Sequence, residues 1–206
     1  MTAARSDLVA VIGGVIGQAL ADSEAAGLVV LDPGSPEGRL LIEIAGAAIG
    51  RDRVIEAVDS SGTETGPVER EEMQRMTARI MAREKGFVVA HPSNKTALLL
   101  SGNLPPERLL PLGDLYASEV ATLMGSATLP ADVQALADSS GGVEPLDAFL
   151  AAWLEGRRSL EDALVRLPDA SRDVIAARLS AKRPERRWPR CVAKLGTRTL
   201  WIDVFE

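Results

Sequence analysis

Cysteine, histidine and aromatic residues are nearly missing from this sequence. Its 206 residues include one cysteine and one histidine, and aromatic residues account for 3%. A single cysteine excludes an intrachain disulfide framework and a cysteine cluster for zinc or iron–sulfur. A single histidine likewise excludes a histidine-rich metal site, and the shortage of aromatic rings argues against a surface that stacks nucleic-acid bases.

Positive charge and long apolar runs are also scarce. The formal net charge of −6 argues against nucleic acid or an anionic membrane surface as the main partner, because both attract basic proteins. No apolar stretch reaches the roughly 18 residues that a bilayer-spanning helix requires. We therefore expect neither a nucleic-acid partner nor a membrane partner.

The first apolar segment, residues 8–21, has one feature of a signal peptide, because it ends in Ala-Leu-Ala like a cleavage site. However, Asp7 accompanies Arg5 ahead of it, so the positively charged start of a signal peptide is missing. The large apolar residues recur every four positions, as on a core-facing helix: Leu8, Ile12, Ile16 and Leu20. We interpret the segment as the first helix of a cytoplasmic protein.

What the sequence does contain, up to about residue 114, is an alternation of short apolar runs and helical patterns. Strands are predicted at residues 27–31, 53–58 and 86–90. Helices are predicted at 8–21, 40–49 and 68–85, and a loop at 32–38. The last helix has Met73, Met76, Ile80 and Met81 on one face. Such alternation predicts an α/β fold: a reduced, doubly wound parallel sheet flanked by helices.

Beyond residue 114 the sequence predicts a helical C-terminal region. Helical patterns cover residues 114–124, 129–137, 145–155, 160–167 and 170–181, and residues 199–204 form a last strand or an extended tail. The length fits one domain. We predict a single domain over residues 1–206, with an α/β core at 1–125, a helical part at 126–190 and a tail at 191–206.

Two glycine-rich segments imitate nucleotide-binding loops. Gly13, Gly14 and Gly17 come before Asp32 much as in a dinucleotide-binding unit, but their G-G-x-x-G spacing is not G-x-G-x-x-G. We interpret them as part of a closely packed helix. Residues 140–144 (SGGVE) imitate the S-G-G-x-D loop of ATP pyrophosphatases, but they follow a predicted helix rather than a strand. We interpret them as a linker between helices.

Three segments, in order, carry motifs of one known family. Residues 88–102 (VVAHPSNKTALLLSG) are similar to a strand, the G-T-G-N-K-S-E turn and the following helix of that family. Residues 110–120 (LPLGDLYASEV) are similar to its P-I-G-D-L-Y-K-T-x-V motif. Residues 146–155 and 184–189 resemble its C-terminal helices and K-R-R segment. The sequence thus resembles the ammonia-dependent NAD synthetases of the adenine nucleotide alpha-hydrolase (ATP pyrophosphatase) class. The resemblance implies a parallel sheet between helices and a homodimer.

The resemblance also implies a nucleotide-binding site. Members of the family activate the carboxylate of nicotinic acid adenine dinucleotide with ATP and Mg²⁺, and ammonia then displaces AMP from the adenylate. The positions that match their binding motifs lie in three segments of this sequence: Gly34, Ser35 and Glu37 in the first, Asn94, Lys95 and Thr96 in the second, and Asp114 in the third.

Several positions depart from the family pattern. Pro33 and Pro36 lack the backbone N–H that a phosphate loop uses. Ala97 stands where a glutamate would contact Mg²⁺, and Ala117 where a lysine would face phosphate. Glu185 reverses the first charge of the K-R-R segment. Two family segments, after Val54 and after Gly102, are shortened. We therefore predict no catalytic residue and no metal ligand.

These departures favour a divergent NAD synthetase-like protein that is catalytically impaired and acts by association, as a homodimer or with a protein partner. Two alternatives remain open. The first is an active ligase that uses ATP, Mg²⁺ and ammonia to form an amide, with Lys95, Asp114 and Glu37 in its site. The second is a sensor that binds an adenine nucleotide without turnover. The sequence leaves open whether the protein is an enzyme and which cofactor it holds.

Overall fold

The computed structural model describes residues 5–32, 34–57, 67–101, 105–107 and 109–181. These residues form two compact units, one with the described residues up to 92 and within 105–112, the other with 93–101 and 113–181. The predicted division at residues 125 and 190 stays a prediction. Pro33, Gly102, Glu185 and the predicted tail at 199–204 lie outside the described residues.

The first unit is an α/β layer structure. Its elements are α1 (Arg5–Asp22), β1 (Gly27–Val30), α2 (Pro36–Ile49), β2 (Val54–Glu56), α3 (Pro67–Lys85) and β3 (Phe87–Ala90). The three strands are parallel and ordered β2-β1-β3. Because β1 is central, the chain moves to one side of it and then crosses to the other, as in a doubly wound sheet. The predicted parallel α/β fold is confirmed.

The two faces of β1 are both buried, which explains its uninterrupted apolar sequence. Leu28 lies beside Val54 of β2 and Val88 of β3. The alternate residue, Val29, belongs to a core cluster with Ala78 and Ala82 of α3. Since successive residues of a strand point to opposite faces, the sheet has an apolar layer on each side.

The first helix packs as its periodicity predicts. Its four regularly spaced apolar residues are at most 4% exposed: Leu8, Ile12, Ile16 and Leu20. A Cβ on Gly13 would lie 2.6 Å from the Cβ of Ala48 in α2, so this glycine permits a close approach of the two helices. The segment is a helix and not a dinucleotide loop, as predicted, but close packing occurs at Gly13, whereas a Cβ on Gly14 or Gly17 would meet nothing within 4 Å. None of the helices within the described ranges is long and apolar enough to cross a bilayer.

The start of α2 corrects the sequence analysis. Residues 32–38 were predicted as a loop and the helix from residue 40, but the helix begins at Pro36. Ser35 is its N-cap, with Oγ accepting a hydrogen bond from the Gly38 N–H at 2.9 Å. Proline is favourable at the first position because no helical partner exists there for an N–H. Pro36 therefore indicates a helix start, where the prediction took it as a loop signal.

The four large apolar residues predicted to share one face of α3 do not all face the core. Met81 packs against the core cluster, whereas the other three large apolar residues are 38 to 54% exposed: Met73, Met76 and Ile80. The alanines Ala78 and Ala82 form the face against the sheet. The alanines thus allow the helix to lie close to the strands, while Met73, Met76 and Ile80 face outward and Met81 packs inward.

The second unit is helical, as predicted. Its elements are α4 (Lys95–Leu100), α5 (Ala117–Met124), α6 (Ala131–Ser139), α7 (Val143–Leu154), α8 (Leu160–Leu164) and α9 (Asp169–Ala181). The glycine pair 141–142 joins α6 to α7, which confirms the predicted linker between helices. Gly141 has φ of 90° and Gly142 of 122°, values that residues with a side chain rarely adopt.

Candidate functional site

The seven predicted binding residues divide between the two units. Three of them surround the start of α2 in the first unit: Gly34, Ser35 and Glu37. The other four lie at the start of α4 and just before α5, in the second unit: Asn94, Lys95, Thr96 and Asp114. Each group has its own geometry, and each tests a different part of the expected nucleotide site.

At Pro36, Gly38 and Arg39, the backbone donor at the start of α2 is missing or engaged. Pro36 has no N–H, Ser35 Oγ accepts from the Gly38 N–H at 2.9 Å, and Arg39 N–H donates to the Ser35 carbonyl at 2.9 Å. The Gly34 carbonyl accepts from the Arg39 guanidinium at 2.9 Å. Phosphate sites at helix starts rely on unengaged N–H groups. These three positions of the helix start therefore offer no unengaged N–H group to a phosphate.

The remaining polar side chains at the start of α2 are also committed. Ser35 Oγ donates to the Asp32 carbonyl at 2.9 Å, so its hydroxyl is both donor and acceptor within the local turn. Glu37 is 3% exposed and lies in the first turn. A carboxylate there interacts favourably with the positive end of the helix, which gives Glu37 a structural reason for its place.

The centre of the second unit is a buried lysine. Lys95 Nζ lies 2.9 Å from Asp114 Oδ1 and 3.2 Å from Glu155 Oε1. The side chains of Lys95 and Asp114 are both 0% exposed, whereas that of Glu155 is 32% exposed. The ammonium also lies 4.7 Å from the centroid of the Tyr116 ring, within the range of a cation–π contact. Two carboxylates thus compensate one cation. We call these four residues the lysine cluster.

Tyr116 and the first turn of α5 complete the surroundings of this cluster. The Tyr116 hydroxyl donates to Glu155 Oε1 at 3.0 Å. Burial, followed by the neighbouring Glu155 carboxylate, raises the pKa of Tyr116 above its ordinary value, so the phenol remains a donor at neutral pH. The Tyr116 N–H donates to Glu119 Oε2 at 2.9 Å. Burial also raises the pKa of the Glu119 carboxyl.

Asn94 and Thr96 are built into the helix framework. Asn94 caps α4, with its side-chain oxygen accepting from the Ala97 N–H at 2.9 Å. Thr96 Oγ1 donates to Asp147 Oδ1 of α7 and accepts from the Ala117 N–H of α5 at 3.0 Å. Both predicted residues are 0% exposed. These hydrogen bonds start one helix and join it to two others, so both side chains have a structural reason for their place.

Neither Glu155 nor Asp147 was among the residues predicted from the sequence, although both contact predicted residues. Asp147 Oδ2 accepts from the Ser118 N–H at 2.7 Å, and its Oδ1 accepts from Thr96. Burial raises the pKa of the Asp147 carboxyl, and the hydrogen bonds from Thr96 and Ser118 oppose that rise. A signal was present, because Asp147 shares the apolar face of α7 with Leu150 and Leu154, where an acid requires a buried partner.

The residues present do not fit a metal-bridged triphosphate. Ala97 and Ala117 are 5% and 0% exposed, and their methyl groups supply neither a metal ligand nor a cation. Within the described ranges no group of three or more His, Cys, Asp or Glu side chains is arranged to hold a metal ion. Lys95, the cation of the predicted set, has its charge compensated by Asp114 and Glu155.

Comparisons with known proteins bear on the fold. No protein-family profile and no curated protein sequence matches this chain. Among solved structures it is similar to the NH3-dependent NAD synthetase from Campylobacter jejuni subsp. jejuni NCTC 11168 in complex with the nitrate ion, with a TM-score of 0.63 at 15% identity over 91% of this chain and 99% of that one. The glutamine-dependent NAD+ synthetase from Acinetobacter baumannii in complex with ADP matches with a TM-score of 0.46 and 14% identity, over 97% of this chain and 48% of that one. The Campylobacter structure shows that the chain has an NAD synthetase-like fold.

Proposed function

We propose that this protein is a divergent NAD synthetase-like protein that does not catalyse ATP-dependent amide formation. We propose further that it acts by associating with another protein molecule. The observation that carries the proposal is the position of Lys95 between Asp114 and Glu155, at 2.9 and 3.2 Å. A lysine that grips phosphate needs a charge that is not already neutralised.

The energetics of the lysine cluster support this proposal. Moving the ammonium to a phosphate would leave the fully buried Asp114 carboxylate without its counter-ion. Breaking one partner out of a buried ion pair is unfavourable by about 3–5 kcal/mol. With two carboxylates and one ammonium, the cluster also has an excess of negative charge, which repels a triphosphate. Lys95 is therefore better explained as the partner of two carboxylates in a structural ion-pair cluster than as a phosphate ligand.

The groups that are missing at three positions also argue against catalysis of the family's reaction. Ala97 and Ala117 stand where the resemblance implies a metal ligand and a cation, and Pro36 removes one N–H from the start of α2. Removing one group that stabilises transition-state charge typically lowers the rate 10²–10³-fold, or about 2.7–4 kcal/mol. Even with strong non-additivity, three such losses leave a rate near background.

An assay of pyrophosphate release tests the proposal. The full chain is incubated with ATP, Mg²⁺, ammonia and nicotinic acid adenine dinucleotide, and an NH3-dependent NAD synthetase is the positive control. We expect no release above a protein-free blank. Release that matches the control, that Thr122→Val retains and that Lys95→Met loses while circular dichroism shows it folded, would show an active ligase and contradict the proposal.

A thermal-shift titration separates loss of catalysis from loss of binding. Ligand at 100 times its Kd stabilises a protein by about 2.7 kcal/mol, which is easily detected. We expect no shift with ATP and Mg²⁺, or with AMP. A shift without product would instead assign the protein as a sensor of adenine nucleotides.

A further inference from the structure

We draw no further inference here: the strongest candidate, the cavity of about 270 Å³ that α5 and residues 141–145 line in the second unit, carries none, because it rests on the N-terminus of α7 and nothing in the described residues shows what would occupy it.

Discussion

The two compact units are stabilised by different kinds of core. In the first unit, β1 is apolar on both faces, and Val29 packs against the alanines of α3. In the second unit, buried polar side chains join the helices, with Lys95 paired to Asp114 and Thr96 bonded to Asp147. Apolar cores tolerate changes of similar volume, whereas a buried polar network becomes unfavourable when one member is lost. The second unit should therefore be the more sensitive to single substitutions.

The largest expected effect is at the lysine cluster. Lys95→Met retains much of the volume but leaves the Asp114 carboxylate buried without its cation, so the free energy of unfolding should fall by about 3–5 kcal/mol. Urea unfolding measures it. The double variant Lys95→Met with Asp114→Leu removes both charges and should recover most of the loss. A single variant as stable as the native chain would contradict this account of Lys95.

A smaller effect is expected at the contact between α4 and α7. Thr96→Val keeps the shape but removes the hydroxyl that bonds Asp147 and the Ala117 N–H. Leaving such buried groups unsatisfied should lower stability by about 1–3 kcal/mol, measured as a fall in Tm. Thr122→Val is the control, because its exposed hydroxyl donates to the Ser118 carbonyl of its own helix. Equal effects of the two variants would refute the role of Thr96.

The pH dependence sharpens the comparison. Burial raises the pKa of the Asp147 carboxyl above its ordinary value of 3.8, so the folded state binds this proton more tightly than the unfolded state. Its contribution to stability is fully present below the ordinary pKa and is lost as pH rises through the raised one, with a slope of at most about 1.4 kcal/mol per pH unit.

Comparison of the native chain with Asp147→Asn isolates this carboxyl. The stability of the native chain relative to the variant should decrease as pH rises from about 4 to about 7, in urea unfolding at each pH. Val29→Ala, in the apolar core of the first unit, should differ from the native chain by a constant amount over the same range. A difference for Asp147→Asn that does not change with pH would disprove the raised pKa.

The smallest effects are expected in α1, where two adjacent glycines differ in their surroundings. A Cβ at Gly13 would lie 2.6 Å from Ala48, whereas a Cβ at Gly14 would meet nothing within 4 Å. Gly14→Ala should raise stability by about 0.5–1 kcal/mol through helix propensity, and Gly13→Ala should lower it through the clash. Thermal unfolding of the two variants distinguishes them, and equal effects would show that α1 and α2 are not closely packed.

Much of the fold was predictable because its signals are local. The alternation of apolar runs and helical periodicity predicted three strands and the helices around them, and the four-residue repeat of α1 predicted its buried side. The start of α2 was mispredicted because Ser35 and Pro36 occur in loops as well as at helix starts. Which residues of α3 face the sheet also required the structure, since alanines form that face.

The candidate site was predictable only in part. The motifs predicted one binding site of seven residues, of which Gly34, Ser35 and Glu37 lie in the first unit. Asn94, Lys95, Thr96 and Asp114 lie in the second. Their partners were not predicted, because Glu155 is 60 positions from Lys95 and Asp147 is 51 from Thr96. Such pairings depend on the path of the chain between helices and leave no mark on local periodicity.

By itself the sequence determined the order of strands and helices, and the absence of the groups at positions 97 and 117 that the resemblance requires, because residue identity and short-range spacing specify both. Only the tertiary structure decided that two acids neutralise the charge of Lys95 and that Met73, Met76 and Ile80 of α3 face solvent. The physical reason is that compensation of charge and exposure of surface are properties of neighbours in space, which chain folding brings together from distant positions.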